Sequence, residues 1–454
     1  GSSASGLPVR VVAALQFPVF NMILGLNPGW IGMVTGAMSL LGAFLDPAFG
    51  YLGDRTRTRW GRRRPYIAVG GLIVSLAISI YFFASPSWTP HMLLAWFVAF
   101  NIILSFGQAM FGVSHFALGI EMATDYDQRT RVVAWRSVVD KVVGIFNSWY
   151  FRFTELFSSA LFGSRLVACA AGIVGFIGSM MIFFNVKERK YRAAVAETRK
   201  PESFFKSAFF ILGNTTYLRL LFIWVVFSMN IGIFGVLGLY LNVYYVFGGD
   251  KAAGATLSGL TGTLGLLTSL AAIPAATWAC RVLGKHVTLK YALWLYIVGS
   301  ALKWWCVNPH YPYLQLILPF FFSVGISSFY IILFSMQADV VDLDELHHGG
   351  RREGMFGAMG GWVMKLGHAV AAALSGWVLV WTGFHVALGG GQADGVFFKM
   401  RLCFSWFPII FCLLALLALR NWPLTRLRCE EIQQLLLQKR AAAEAAKAAE
   451  SALP

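Results

Sequence analysis

Long apolar runs separated by short polar breaks set the organisation of this chain. Runs of roughly 20 residues or more are long enough to cross a hydrocarbon layer of about 30 Å as helices. By run length, about twelve spans are predicted. Six cover residues 9–26, 30–52, 65–84, 93–119, 132–156 and 166–186. Six more cover 217–245, 252–282, 287–307, 311–336, 354–382 and 397–419. The longest polar break follows the sixth span and holds Lys187, Arg189, Lys190, Arg192, Arg199 and Lys200. The pattern predicts an all-α polytopic membrane protein of two six-helix bundles. The bundles are residues 1–186 and 213–420, with a linker at 187–212 and a tail at 421–454. A short interfacial helix is expected over 203–212 and a tail helix over 430–453.

Composition agrees. The chain is 57% hydrophobic and 13% charged, where a soluble protein carries about 25% charged residues. A net charge of +16 would suggest nucleic acid in a soluble protein. Here the basic residues sit in alternate short loops. These are Arg55 to Arg64, Arg129 and Arg131, the linker, Arg281 and Lys285, Arg351 and Arg352, and the tail from Arg420. The intervening loops 27–29, 85–90, 308–310 and 389–395 are nearly free of them. That bias predicts basic loops and both termini in the cytoplasm, with the protein in the cytoplasmic (inner) membrane. The expected partners are the bilayer and a small-molecule substrate, with no nucleic acid and a monomeric state. Six cysteines without CxxC spacing predict neither disulfides nor a metal site. No cofactor is expected.

The loop between the second and third spans carries more than charge. It reads Gly50-Tyr-Leu-Gly-Asp54-Arg55, then Arg59-Trp60-Gly61-Arg62-Arg63-Arg64-Pro65. Gly50 and Gly53 permit close packing, Gly61 permits a turn, and Pro65 suits the first position of a helix. Asp54 can accept hydrogen bonds from the arginines or from a helix N-terminus. A weak repeat links the halves. Glu121, Asp125 and Asp127 precede Arg129 and Arg131, and Asp339, Asp342 and Asp344 precede Arg351 and Arg352. A substrate cavity is expected between two such parallel repeats, near the midplane.

This loop resembles the loop motif of the major facilitator superfamily. With Asp46-Pro47 before it, and with Asp339 to Glu345, Arg351 to Phe356 and Lys365 downstream, the chain resembles the glycoside–pentoside–hexuronide:cation symporters over nearly its whole length. The resemblance implies the major facilitator fold, alternating access, and a sugar-like substrate driven by H⁺ or Na⁺. The family's cation site uses two acids one turn apart on the second helix. Asp46 matches the later one, and the earlier falls on Gly42. The acidic sugar-binding position of the fourth helix falls on Phe111, with His115 at a nearby aromatic position. Arg136, Lys365 and Tyr330 match an arginine, a lysine and an aromatic of the fifth, eleventh and tenth helices.

Ionisable groups inside a span are expensive and usually functional. Arg136 and Asp140 are four apart on one helical face, and Lys141 lies about 100° further round. The set reads either as a neutralising ion pair or as a substrate and proton site. Lys365 has no acid in its own span, so Asp46 or Asp140 is a possible partner across the cavity. The substrate residues expected are Arg136, Asp140, Lys141, His115, Tyr330, Trp362 and Lys365. Asp46 and Asp140 are expected to couple to H⁺ or Na⁺. The gate is expected at Asp54, Arg55, Gly61, Arg62, Arg63, Arg64, Glu121, Asp339, Asp342, Arg351 and Arg352. His115 and His368 are candidates to titrate near neutral pH, and the alternative reading of each is a hydrogen-bonded filler. No catalytic role is expected. The function expected is secondary active transport of a sugar, glycoside or acidic sugar. The alternatives are transport of a lysolipid or other amphiphile on the same fold and, more remotely, a prenyltransferase-type membrane enzyme using the Asp339 cluster.

Overall fold

The computed structural model of the chain describes residues 2–122, 139, 142–186, 213–348 and 353–451. Outside the loops the described residues are helical. The first group is α1 (Ser2–Phe17), α2 (Pro28–Arg55), α3 (Arg64–Tyr81), α4 (Pro90–Met122), α5 (Tyr150–Thr154) and α6 (Ala160–Asn185). The second is α7 (Thr215–Tyr240), α8 (Lys251–Leu283), α9 (Lys285–Cys306), α10 (Leu318–His348), α11 (Glu353–Thr382) and α12 (Val396–Ala418). The tail helix is α13 (Arg426–Ser451).

Helix starts follow the local sequence. Asn27 caps α2 by accepting from the Gly29 N–H at 2.8 Å, and Pro28 occupies the first turn. Asn214 and Asp250 cap α7 and α8 in the same way. The first helix of each group ends alike, in a six-residue π-helical turn, at Pro18–Ile23 and Leu241–Val246. At the first of these Pro18 has no N–H to give, so the regular ladder breaks there. The Leu24 N–H then donates to the Val19 carbonyl at 3.0 Å.

Ten helical stretches among the described residues are long and apolar enough to cross a membrane. α9 falls short on apolar character because it carries Lys285, Lys290 and Lys303, although its 22 residues are long enough. The first part of the fifth expected span lies outside the described residues, as do the linker 187–212 and the short helix expected within it.

Within the first group α1 packs on α6, α3 on α4 and α6, and α2 on α4. Within the second, α7 packs on α11 and α12, α8 on α10, and α9 on α10 and α12. The groups meet chiefly where α2 crosses α11 and where α8 meets α5. The apolar cores show how the groups are joined. At the end away from the basic loops, one core includes Phe20, Tyr81 and Phe97 of the first group and Tyr240, Leu241 and Phe384 of the second. At the basic-loop end each group has a core of its own. One gathers around Phe111, with Ile67 and Ile182, and the other around Trp224, Phe329 and Phe356.

Glycines on α2 and α11 report the same asymmetry. A Cβ on Gly32 would stand 2.6 Å from the Ala372 carbonyl oxygen, and one on Gly36 2.6 Å from that of Ala369. On Gly42, Gly357 and Gly361, nearer the basic loops, an added Cβ meets nothing within 4 Å. The two helices touch at one end and part at the other, leaving a cleft that opens toward the basic loops.

Candidate functional site

Between the groups lies a cavity of about 690 Å³, within the range of small-molecule sites. Its wall mixes apolar side chains with neutral polar ones, including Gln16, Thr35, Asn242 and Ser258. At the far end it is closed by links between the groups. The Tyr240 hydroxyl donates to Asn21, whose amide in turn donates to the Leu26 carbonyl at 2.8 Å. Lys251 reaches the Met22 carbonyl at 3.3 Å. The Trp149 indole N–H donates to Thr263 at 2.9 Å, tying the α5 region to α8.

His368 of α11 is on the cavity wall. Three residues earlier, about 4.5 Å along the helix toward the basic loops, Lys365 forms an ion pair with Asp46 of α2. Lys365 also donates to the Gly42 carbonyl at 3.3 Å. The ammonium thus bonds the two α2 positions where the symporter resemblance implies a pair of acids. The side chains of Asp46 and Lys365 are 37% and 35% exposed, so the pair can be reached from the cleft. Trp362 lies one turn before Lys365 and meets Phe44 edge-on at 6.5 Å. This adds an aromatic contact to the ion pair between α2 and α11.

Other expected substrate residues lie elsewhere. His115 stacks on Phe111 at 5.3 Å and lines a separate pocket of about 250 Å³ among α1, α3, α4 and α6. Tyr330 packs against Trp224 at 5.6 Å, inside the second group. Neither they nor Trp362 are on the wall of the central cavity. Arg136, Asp140 and Lys141 lie outside the described residues.

The expected gate divides into two structures. In the first loop, Gly61 has φ +105°, a conformation glycine adopts readily, and its N–H returns to the Thr58 carbonyl at 3.1 Å. Thr56 bonds the Tyr66 hydroxyl at 2.7 Å, joining the ends of α2 and α3. Arg55 lies over the Tyr51 ring at 4.2 Å. Arg64 donates to the Phe183 carbonyl and covers its ring, so the loop is pinned to the end of α6. Arg62 and Arg63 follow Gly61 in the same loop, while Asp54 and Glu121 are placed by backbone at the ends of α2 and α4. In the second group, Asp339 is bonded by Lys285 at 2.6 and 2.8 Å. That brace ties α9 to α10, and Asp342 lies one turn further along α10. Arg351 and Arg352 lie outside the described residues. The tail helix seals the brace, since Arg426 reaches the Arg281 carbonyl and Ile432 and Leu436 are buried in the second group's core.

The wall residues that were not anticipated include Lys303 and Gln315. Lys303 of α9 is only 3% exposed, and Gln315 precedes α10. A lysine inside an apolar run was the signal for the first. Gln315 lies near the start of the tenth expected span, where one uncharged polar residue drew no notice.

A family profile described as MFS/sugar transport protein matches residues 9–426. The chain belongs to this family. Among its relatives, the inner membrane symporter YicJ of Escherichia coli (strain K12) is 24% identical, over 96% of this chain and 93% of that protein. The isoprimeverose transporter of Lactiplantibacillus pentosus is 21% identical, over 90% and 83%. Among solved structures, the nucleoside transporter NupG superposes with a TM-score of 0.65 at 12% identity, over 92% of this chain and 97% of that one. The MFS architecture accounts for the two helix groups and the cavity between them. Membership also sets aside the prenyltransferase alternative, because this is a family of transporters and Asp339 is held by Lys285.

Proposed function

We propose that this MFS protein moves a sugar-like substrate across the membrane by alternating access, and that the Asp46–Lys365 pair couples the movement to a cation gradient. The names of its relatives support a sugar-like cargo. The observation that carries the coupling is an ion pair joining α2 to α11 about one turn from the cavity wall. A cation that takes the Asp46 carboxylate releases Lys365 and loosens the hold of one group on the other. Substrate arriving in the cavity and a cation arriving at Asp46 then act on the same helix contact. A proton is favoured over Na⁺. It needs a single acceptor oxygen, whereas Na⁺ needs several, and the Gly42 carbonyl already accepts from Lys365. In this reading the basic loops face the cytoplasm, in line with the positive-inside bias, so the cleft opens inward. The host membrane is a cytoplasmic one.

The test is uptake in proteoliposomes. Asp46→Asn should abolish accumulation of labelled sugar driven by an H⁺ gradient and leave equilibrium counterflow within about twofold. Driven accumulation that survives the substitution removes Asp46 from coupling.

A further inference from the structure

The tip of the loop between α2 and α3 stands apart from the contacts that pin that loop. Residues 58–61 form a four-residue turn closed from both ends. The Gly61 N–H donates to the Thr58 carbonyl at 3.1 Å, and the Thr58 hydroxyl donates to the Gly61 carbonyl at 2.5 Å. The Trp60 N–H donates to the same hydroxyl oxygen at 3.3 Å. Arg59 and Trp60 are the two central residues, displayed at the tip. The Arg59 guanidinium lies over the Trp60 ring at 4.3 Å, and that ring stands 6.1 Å from the ring of Phe183 near the end of α6. Arg59 is exposed, and its guanidinium has no hydrogen-bond or ion-pair partner among the described residues. The neighbouring surface is apolar. Ile173, Ile177, Met181 and Phe184 are all exposed on one face of α6. In a spanning helix such a stripe faces lipid, and this one runs out at the basic-loop end. Trp60, itself 46% exposed, stands beside that end, at the level where tryptophan rings sit between hydrocarbon and headgroups.

We propose that Arg59 and Trp60 form a docking site for the headgroup of an anionic glycerophospholipid in the leaflet at the basic-loop end. The site is independent of the cargo and of the Asp46–Lys365 pair. A guanidinium stacked on a ring is held by its flat face. Its edge donors remain available for a two-point contact with phosphate oxygens. The closed turn fixes both residues before the lipid arrives, so little freedom is lost on binding. Charge favours the same partner. Residues 55–64 hold six arginines and no acid, and a basic segment at a membrane surface attracts anionic lipids. The apolar surface of Trp60 and Phe184 suits the upper acyl chains, which a soluble phosphate would leave uncovered. That surface is what selects a lipid over a free anion.

The experiment uses the purified full-length protein. Native mass spectrometry in detergent measures the affinity of the tightest phosphatidylglycerol and phosphatidylcholine, and hydrogen exchange in nanodiscs of either lipid locates the contact. Phosphatidylglycerol should be held more tightly than phosphatidylcholine. Exchange of the backbone over residues 57–63 should be slower in phosphatidylglycerol. Arg59→Gln should weaken phosphatidylglycerol about fivefold, the effect of one arginine beside an anionic headgroup, and abolish the slowing. Arg219→Gln is the control. It removes an exposed arginine near the start of α7, at the same end of the chain and without a ring beneath it among the described residues. It should leave both readouts within about twofold. Equal affinity for the two lipids overturns the site. Equal weakening by Arg59→Gln and Arg219→Gln also overturns it, since the attraction would then belong to the basic end as a whole. If glycerol 3-phosphate produces the same Arg59-dependent slowing in phosphatidylcholine nanodiscs, the turn binds a soluble anion and the lipid assignment falls.

Discussion

Alternating access makes a steric prediction at Gly32. This residue sits one turn into α2, where the helix meets α11 at the closed end. A Cβ added there would stand 2.6 Å from the Ala372 carbonyl oxygen and 3.0 Å from both the Ala373 oxygen and the Gly376 nitrogen. All three are backbone atoms, so no side chain can rotate away. An ordinary carbon–oxygen approach is about 3.3–3.6 Å, and the helices must separate by just under 1 Å to admit the methyl group. Overpacking of this kind costs about 1–3 kcal/mol. The penalty applies to the state in which α2 and α11 touch at this end, and it vanishes when they part. Gly32→Ala should therefore shift the equilibrium toward the state open at the far end by about 5-fold to 150-fold. Gly42→Ala on the same helix is the control, since nothing lies within 4 Å of its added Cβ. The assay is labelling of a cysteine placed at Ser375 on the cavity wall, in a background without the native cysteines. A membrane-impermeant maleimide is applied from either side of sealed vesicles. Labelling from the far side should rise in Gly32→Ala and stay unchanged in Gly42→Ala. Equal labelling of both variants and the parent would refute the idea that this contact opens during transport.

Two further outcomes follow from the second group. Lys285→Met leaves the buried Asp339 carboxylate without its ammonium; because Lys285 is itself partly exposed, the loss is about 2 kcal/mol rather than the full cost of a buried charge. The thermal midpoint in detergent should fall by about 2 °C, and adding Asp339→Asn should restore most of it; a double variant no better than the single one would sink the brace. Burial, with Asp339 beside it, pushes the Cys429 thiol up to about 12. A raised thiol pKa means less thiolate at every pH below it. Alkylation of Cys429 should be slow at pH 8 and keep rising through pH 10, where an ordinary thiol has levelled off, as read by mass spectrometry of the labelled peptide.

The parts of this fold legible in the sequence are those set by local chemistry. Run length announced the spans, Pro65 announced the start of α3, and the Gly61 turn followed from glycine's freedom at positive φ. Asp46 and Lys365 were identifiable because a charge inside a span is expensive, though the pairing itself depends on how α2 and α11 cross. α9 was legible by length despite its lysines. Beyond this, the site depended on which helix face turns inward, and an apolar run on a membrane helix does not say. Lipid and protein interior are both apolar, so the ordinary contrast between a wet face and a dry face is lost. That is why Phe111 and His115 are found around their own pocket, Tyr330 is found against Trp224, and Gln315 went unremarked near the start of the tenth expected span.

The same physics separates the transport scaffold from its cargo. The Thr56–Tyr66 bond, the Arg64 contact with Phe183 and the Asp339–Lys285 brace each act within one helix group. They keep each group rigid whatever crosses between them. The cavity between the groups has no such constraint, and its polar residues come from at least five helices that are distant in sequence. Where the two regions meet, one lysine does two things at once. Lys365 neutralises Asp46 and also bonds the carbonyl at Gly42, where the family resemblance implies a second acid. A carboxylate at position 42 would place two negative charges one turn apart beside that single ammonium, and their repulsion would favour a bound metal cation. Gly42→Asp should therefore add Na⁺-dependent uptake to the proton coupling proposed for Asp46. Uptake indifferent to Na⁺ in that variant would mean that coupling is set elsewhere than at this pair.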